Sequence, residues 1–122
     1  MNKIEKSSLG LKGEQIAYNY LSRKGYILLE RNWHFKHKEI DIIMLDGDCL
    51  VIVEVKTRST PYFERPQDAV NRKKQRFLVQ AANAYIEKKD FSGEIRFDIV
   101  SVIHNSQITD VSHIEDAFYP LA

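Results

Sequence analysis

A carboxylate and an ammonium, Glu54 and Lys56, stand two residues apart at the end of the apolar run Leu50–Val53. Side chains two apart on a strand share a face, and this face begins in the core with Leu50 and Ile52. A charge left there without a partner is strongly unfavourable, so folding economy alone would place Leu or Val at such positions. Asp41 supplies a reason for the pair. It lies five residues before Asp46, and Glu54 lies six after Asp48, so the turn Asp46-Gly47-Asp48 sets the two carboxylates at similar depth on paired strands. Glu39 alternates onto the face of Asp41. Converging carboxylates are hard ligands that suit Mg²⁺ or Mn²⁺, with waters and the Val55 carbonyl to complete the shell. The plainer alternative is a salt bridge from Lys56 to Asp41 or Glu39 at the sheet end. Asp41 across a tight hairpin, with apolar runs on both sides, favours the cation site.

The elements that must position these groups follow in the order α-β-β-β-α-β, with a last short strand after them. A first helix is expected from Ser8 to Lys24, capped by Ser7 or Ser8, with Ile16, Ala17, Tyr20 and Leu21 as its inward stripe and Gly25 just past its end. Tyr26–Trp33, Glu39–Leu45 and Cys49–Lys56 read as strands. In the last of these both alternating sets are apolar, which marks a central strand covered on both faces. Thr57–Arg65 is a loop. Pro66 suits the first turn of a second helix running to Lys88, with Val70, Phe77, Leu78, Ala81, Ala82 and Tyr85 on one face. Glu94–Ile103 is a fourth strand, and Ile108–Val111 the short last one. A hairpin start followed by a helical crossover gives an α/β fold, a mixed central sheet flanked by helices.

The 122 residues fit one domain, and 43% apolar with 29% charged residues is ordinary for a globular chain. A net charge of +1 does not by itself suggest nucleic acid. The distribution is more informative: from Lys56 to Arg76 there are seven basic residues against two acidic ones. Such a local excess suits a phosphate backbone, or else a solvated helix face. Trp33, Phe35, Tyr62 and Phe63 are suited to stack on bases or to fill the core and its rim. The histidines His34, His37, His104 and His113 lack helical ligand spacing and are read as non-ligands. Cys49 is the single cysteine, so no intrachain disulfide forms, and it reads as a small apolar strand residue. No apolar run is long enough to span a bilayer, and MNKIEKSSLG lacks the apolar core of a signal peptide, so a cytoplasmic protein without a membrane partner is expected.

The segments GEQIAYNYL (Gly13–Leu21), RNWHFKHKEIDII, IVEVKTR, DAV with KKQ, and RFDIV resemble the YraN family of small bacterial proteins. That family belongs to the restriction-endonuclease-like, or PD-(D/E)xK, superfamily and is similar to archaeal Holliday-junction resolvases. The resemblance spans Leu11 to about Val102, and its EID–EVK pair is its most specific part. It implies metal-binding roles for Asp41 and Glu54, with Lys56 placing or polarising the attacking water. It implies that Glu14 of the first helix holds a metal or a metal-bound water, and that Lys74 is the lysine of the second helix. The chain departs from the family's Gly-Glu-Ile-Asp at one position, where Lys38 replaces the glycine. The expected activity is Mg²⁺- or Mn²⁺-dependent hydrolysis of nucleic-acid phosphodiesters, with branched DNA as a candidate substrate. Asp41, Glu54 and Lys56 would be catalytic, Glu39 supporting, and Arg58, Arg72, Lys73 and Lys74 would hold nucleic acid. The alternative is a module of the same fold that binds nucleic acid or a protein partner without turnover. A homodimer is expected if both strands are cut, with the last strand and HIEDAFYPLA as candidate surfaces.

Overall fold

The hairpin that sets the two acids side by side closes on a two-residue loop. Gly47 holds φ 59 there, a left-handed conformation that glycine adopts without strain. The computed structural model describes residues 6–61, 65, 68 and 70–118. Its elements are α1 (Ser8–Arg23), β1 (Ile27–Phe35), β2 (Lys38–Asp46), β3 (Cys49–Arg58), α2 (Arg72–Lys89), β4 (Ile95–His104) and β5 (Thr109–Ile114). The five strands form one sheet in the order β1-β2-β3-β4-β5. Pairing is antiparallel except between β3 and β4, which run parallel because α2 carries the chain back between them. The expected mixed α/β sheet with flanking helices is the observed fold, and β5 is the additional strand.

Each helix covers one face of the sheet. Ala17 and Leu21 of α1 pack with Ile42, Met44, Val51, Val53, Val100 and Val102. Leu78, Ala81, Ala82 and Tyr85 of α2 pack with Ile43, Leu50, Ile52, Phe97 and Ile99. Alternate residues of β3 therefore enter different cores, which is why its sequence is apolar on both sides. Burial of each such aliphatic side chain contributes about 1.5–3 kcal/mol.

Local chemistry fixes the helix ends. The Ser7 side chain accepts from the Gly10 amide at the start of α1. At its end the Gly25 amide donates to Ser22 and the Tyr26 amide to Leu21, closing a Schellman turn around Gly25 at φ 93. The second helix begins later than the sequence suggests. Asn71 is its cap, accepting from the Lys74 amide, so α2 starts at Arg72 rather than at Pro66, which lies outside the described residues. The asparagine cap outweighs the proline signal, and Val70, buried ahead of the helix, belongs to the core without being on the helix face.

Two further expectations change. The buried stripe of α1 is Gly13, Glu14, Ala17 and Leu21, while Ile16 and Tyr20 are only partly covered. The segment after β5 does not present its apolar residues outward as far as it is described. Phe118 is buried and stacks on Phe97 at 5.1 Å, and the Ala117 amide donates to the Phe97 carbonyl. This removes Phe118 from the candidate contact surface; residues 119–122 lie outside the described ones.

Candidate active site

The ladder between β2 and β3 runs from Asp46↔Cys49 to Ile42↔Val53 and stops there. The next positions are Asp41 and Glu54. Beyond them the strands part, and the Val55 amide, which has no strand partner on that side, donates instead to Asp41 Oδ2 at 2.8 Å. On the other flank of β2, Asn32 of β1 stands opposite Asp41 with φ 52, a left-handed value that asparagine tolerates better than most residues. Asp41 thus fills a fork in the sheet and reaches toward both faces.

On the α1 side, Glu14 joins it. Gly13 brings α1 so close to β3 that a Cβ there would lie 1.8 Å from Thr57 Oγ1, and this contact places Glu14 against the sheet end. Glu14 is buried and its Oε1 accepts from Asn32 Nδ2 at 3.0 Å. The Lys6 ammonium lies among three acids: it donates to Glu14 Oε2, meets Asp41 Oδ1 at 3.1 Å and Glu39 Oε1 at 3.5 Å. Glu39 also pairs with His34, its cross-strand neighbour, at 3.1 Å.

Glu54 occupies the α2 side. Lys74, in the first turn of α2, approaches its Oε2 at 3.6 Å. Its Oε1 is the one buried side-chain oxygen or nitrogen among the described residues with no hydrogen-bond partner. Burial first, and then the charge of Asp41, push the Glu54 carboxyl up to about 8, against the opposing pull of Lys74 and Lys56. Glu54 and Lys56 line one cavity of about 260 Å³ with Lys38, Asn71, Lys73 and Lys74. Phe77 holds two of these lysines: the Lys74 and Lys38 ammoniums lie 5.3 and 5.6 Å from its ring centre. The cleft is therefore basic above and acidic at its base.

Hard carboxylate donors, an orphaned oxygen on Glu54 and an ammonium among Glu14, Glu39 and Asp41 make up a donor set that suits Mg²⁺ or Mn²⁺. As the side chains stand, no group of three His, Cys, Asp or Glu among the described residues is arranged to hold a metal ion. Lys6 engages three of the acids, and Glu54 is paired with Lys74 on the opposite side of the fork.

The residues singled out from sequence fall in two groups. Asp41, Glu54, Glu14, Glu39, Lys56, Lys73 and Lys74 surround the fork and its cleft. Arg58 closes the far end of β3, and Arg72 is exposed at the start of α2; neither lines the cleft. Tyr62 and Phe63 lie outside the described residues. Trp33 and Phe35 pack at the edge of the α2-side core, edge-on to Tyr85 at 5.1 Å and against Phe77 at 6.1 Å. Lys6, Asn32, His34 and Phe77 as site residues were not legible. Only Asn32 carried a signal, being an asparagine inside a strand-forming run.

A second polar cluster sits at the opposite end of β4. Arg96 makes a two-pronged contact with Asp98, both at 2.9 Å, and also reaches Asp46 and the Tyr26 hydroxyl. His113 Nε2 lies 2.7 Å from Asp98, and the Asp116 amide donates to it. Burial alone would raise the Asp98 carboxyl, but His113, Arg96 and the Asp116 amide together bring it below its ordinary value. These contacts bind the β2–β3 turn, β4 and the chain after β5 together.

A two-helix mixed α/β domain with buried acids where two strands part, and lysines converging from a helix N-terminus, is the class that fold and site define. Residues 13–102 match the profile of the "Uncharacterised protein family UPF0102". The chain is 46% identical over 115 residues to a UPF0102 protein of Christiangramia forsetii, covering 94% of this chain and 97% of that one. It is 47% identical over 115 residues to one from Flavobacterium psychrophilum, with the same coverage, and 45% over 113 residues to one from Parabacteroides distasonis, 93% of each. The chain belongs to the UPF0102, or YraN, family.

Proposed function

We propose that this protein is a metal-dependent endonuclease that hydrolyses nucleic-acid phosphodiesters, with branched DNA as its candidate substrate. The observation that carries the reading is the fork itself: Asp41 beside Glu54 where the strands part, with the orphaned oxygen of Glu54 in a carboxyl that lines a cleft with Lys38, Lys56, Lys73 and Lys74. Acid at the base and ammonium at the rim is the polarity that a cation-assisted reaction on a phosphate requires. Asp41 and Glu54, supported by Glu14, would hold Mg²⁺ or Mn²⁺, which when bound offsets negative charge on the phosphoryl oxygens. Lys56, beside Glu54, orients the attacking water or balances the charge that develops on the phosphate. Lys73 and Lys74 hold the neighbouring phosphate at the helix N-terminus, where backbone amides favour an anion. Glu39 supports the acids from β2.

Purified protein with Mn²⁺ is expected to cut at least one of single-stranded, duplex, flapped or four-way DNA. Asp41→Ala and Glu54→Ala are expected to remove cleavage while the far-ultraviolet circular dichroism stays native. If all four substrates survive, the enzyme reading is lost.

One observation favours a second reading, a binding module without turnover. In this conformation every acid at the fork is already engaged by a lysine. A module of that kind binds branched DNA with no response to Mn²⁺. A working metal site raises Tm with Mn²⁺ in the wild type but not in Asp41→Ala.

A further inference from the structure

We infer that the strip of rings and lysines beside the cleft seats one unpaired nucleic-acid strand, its bases resting on Phe35 and Phe77 and its phosphates meeting Lys36, Lys38 and Arg76. The inference rests on the nucleic-acid reading of the cleft and names the form of substrate that approaches it.

Two separate elements make the strip: the end of β1 with its turn into β2, and the first turns of α2. Phe35 and Phe77 join them, with ring centres 6.1 Å apart. Residues 33–38 and 71–77 carry six lysines and arginines and no acid. Lys36, Lys38, Lys73 and Arg76 are exposed, and Arg76 lies one helical turn beyond Lys73 of the cleft. That is the charge a phosphate backbone requires. Lys36 holds φ 58, left-handed, in a turn where asparagine or glycine would sit without strain. Turn chemistry therefore does not account for a lysine there, whereas contact with an anion does.

The rings decide between an unpaired strand and a duplex. Trp33, Phe35 and Phe77 are only partly buried, at the rim of the α2-side core. Ammoniums cover them from outside: Lys36 lies 5.3 Å from the Phe35 centre, and Lys38 and Lys74 lie over Phe77. These stems are flexible, so a phosphate that draws an ammonium away leaves a ring face for a base. The Trp33 and Phe35 rings are parallel to within 7° with centres 6.5 Å apart. One strand of a duplex advances only about 3.4 Å per residue, so bases resting on such rings cannot keep duplex stacking. The cleft beside them, about 260 Å³, is smaller than the roughly 300–1,000 Å³ of small-ligand sites. It admits part of one strand, not a helix.

The test measures binding by fluorescence anisotropy in chelator, where nothing is cut. The probes are a labelled thymidine oligonucleotide, a uridine one and a blunt DNA duplex of the same length. Wild type should hold the thymidine strand more tightly than the duplex. Phe35→Leu keeps the apolar cover but removes the ring, so affinity for the thymidine strand should fall about fivefold or more with the salt slope unchanged. Lys36→Gly suits the left-handed turn and should lower that slope by about 0.7. Lys12→Ala, exposed on α1, should alter neither. Tighter binding of the uridine strand keeps the strip and makes the strand RNA. A duplex bound as well as the thymidine strand overturns the inference and leaves the nucleic-acid reading standing, as does wild-type behaviour of both Phe35→Leu and Lys36→Gly. Failure of every probe to bind overturns both. Should Phe35→Leu not fold, Trp33, the single tryptophan, decides in the wild type. Saturable quenching of its fluorescence by the thymidine strand supports seating on the strip, and unchanged fluorescence alongside saturable anisotropy refutes it.

Discussion

Glu54 is held in its folded place at an electrostatic disadvantage, and that disadvantage depends on pH. Its carboxyl is pushed up to about 8, by burial and then by Asp41. An unfolded glutamate releases its proton near pH 4.3, so between about 4.3 and 8 the folded chain keeps a proton that the unfolded chain has lost. Stability therefore falls as pH rises through that window. Glu54→Gln keeps the shape and removes the titration. In chelator its urea midpoint, taken relative to wild type, should rise between about pH 5 and about pH 9. A constant difference across that range would mean the carboxyl is not displaced. Asp98 behaves oppositely. Its depressed value means that its contribution is present at neutral pH and is lost only as pH falls below the ordinary carboxylate range. Asp98→Ala strands a buried histidine and an arginine without their anion. A loss of about 3–5 kcal/mol in urea unfolding is expected, and a loss below about 1 kcal/mol would show that the cluster carries little net energy.

Among the elements, the contact between α1 and β3 decides where Glu14 sits. Gly13 is required there by close approach, not by backbone strain, since a Cβ would meet Thr57 Oγ1, Cγ2 and Cβ within 2.6 Å. Gly13→Ala should destabilise by about 1–3 kcal/mol through overpacking, and Thr57→Gly in the same chain should recover most of that loss. A double-mutant cycle by urea denaturation measures the coupling, and additive effects would place the strain elsewhere. The fork between β2 and β3 is likewise a property of elements. Asp41 takes an amide that the ladder no longer serves, so the strand end is satisfied by the same carboxylate that faces Lys6.

Across the whole molecule, charge is sorted although the total is only +1. Lysines from β2, β3 and α2 line the cleft around Glu54, while the acids Glu14, Glu39 and Asp41 gather around Lys6 at the neighbouring strand end. If the cleft follows a phosphate backbone, the logarithm of affinity should fall linearly with the logarithm of salt concentration, and Lys73→Ala should reduce the slope by about 1. An unchanged slope would exclude Lys73 from phosphate contact. No helix among the described residues is long and apolar enough to cross a membrane.

Periodicity in the sequence was enough for the layered α/β architecture, because β3 could be apolar on both sides only as a covered central strand. The turn at Gly47 and the count of residues on either side of it were enough to bring Asp41 beside Glu54, since antiparallel register is arithmetic once the loop is fixed. The asparagine cap that delays α2 to Arg72 was present in the sequence but was masked by the stronger proline signal ahead of it. The fold alone decided the rest. Lys6 and Glu14 are eight residues apart, yet they meet at an acid on β2, 35 residues from Lys6. Lys38 and Lys74 meet over Phe77 from different elements. Contacts of this kind depend on how two helices seat on opposite faces of one sheet, and no local preference of the chain encodes that distance.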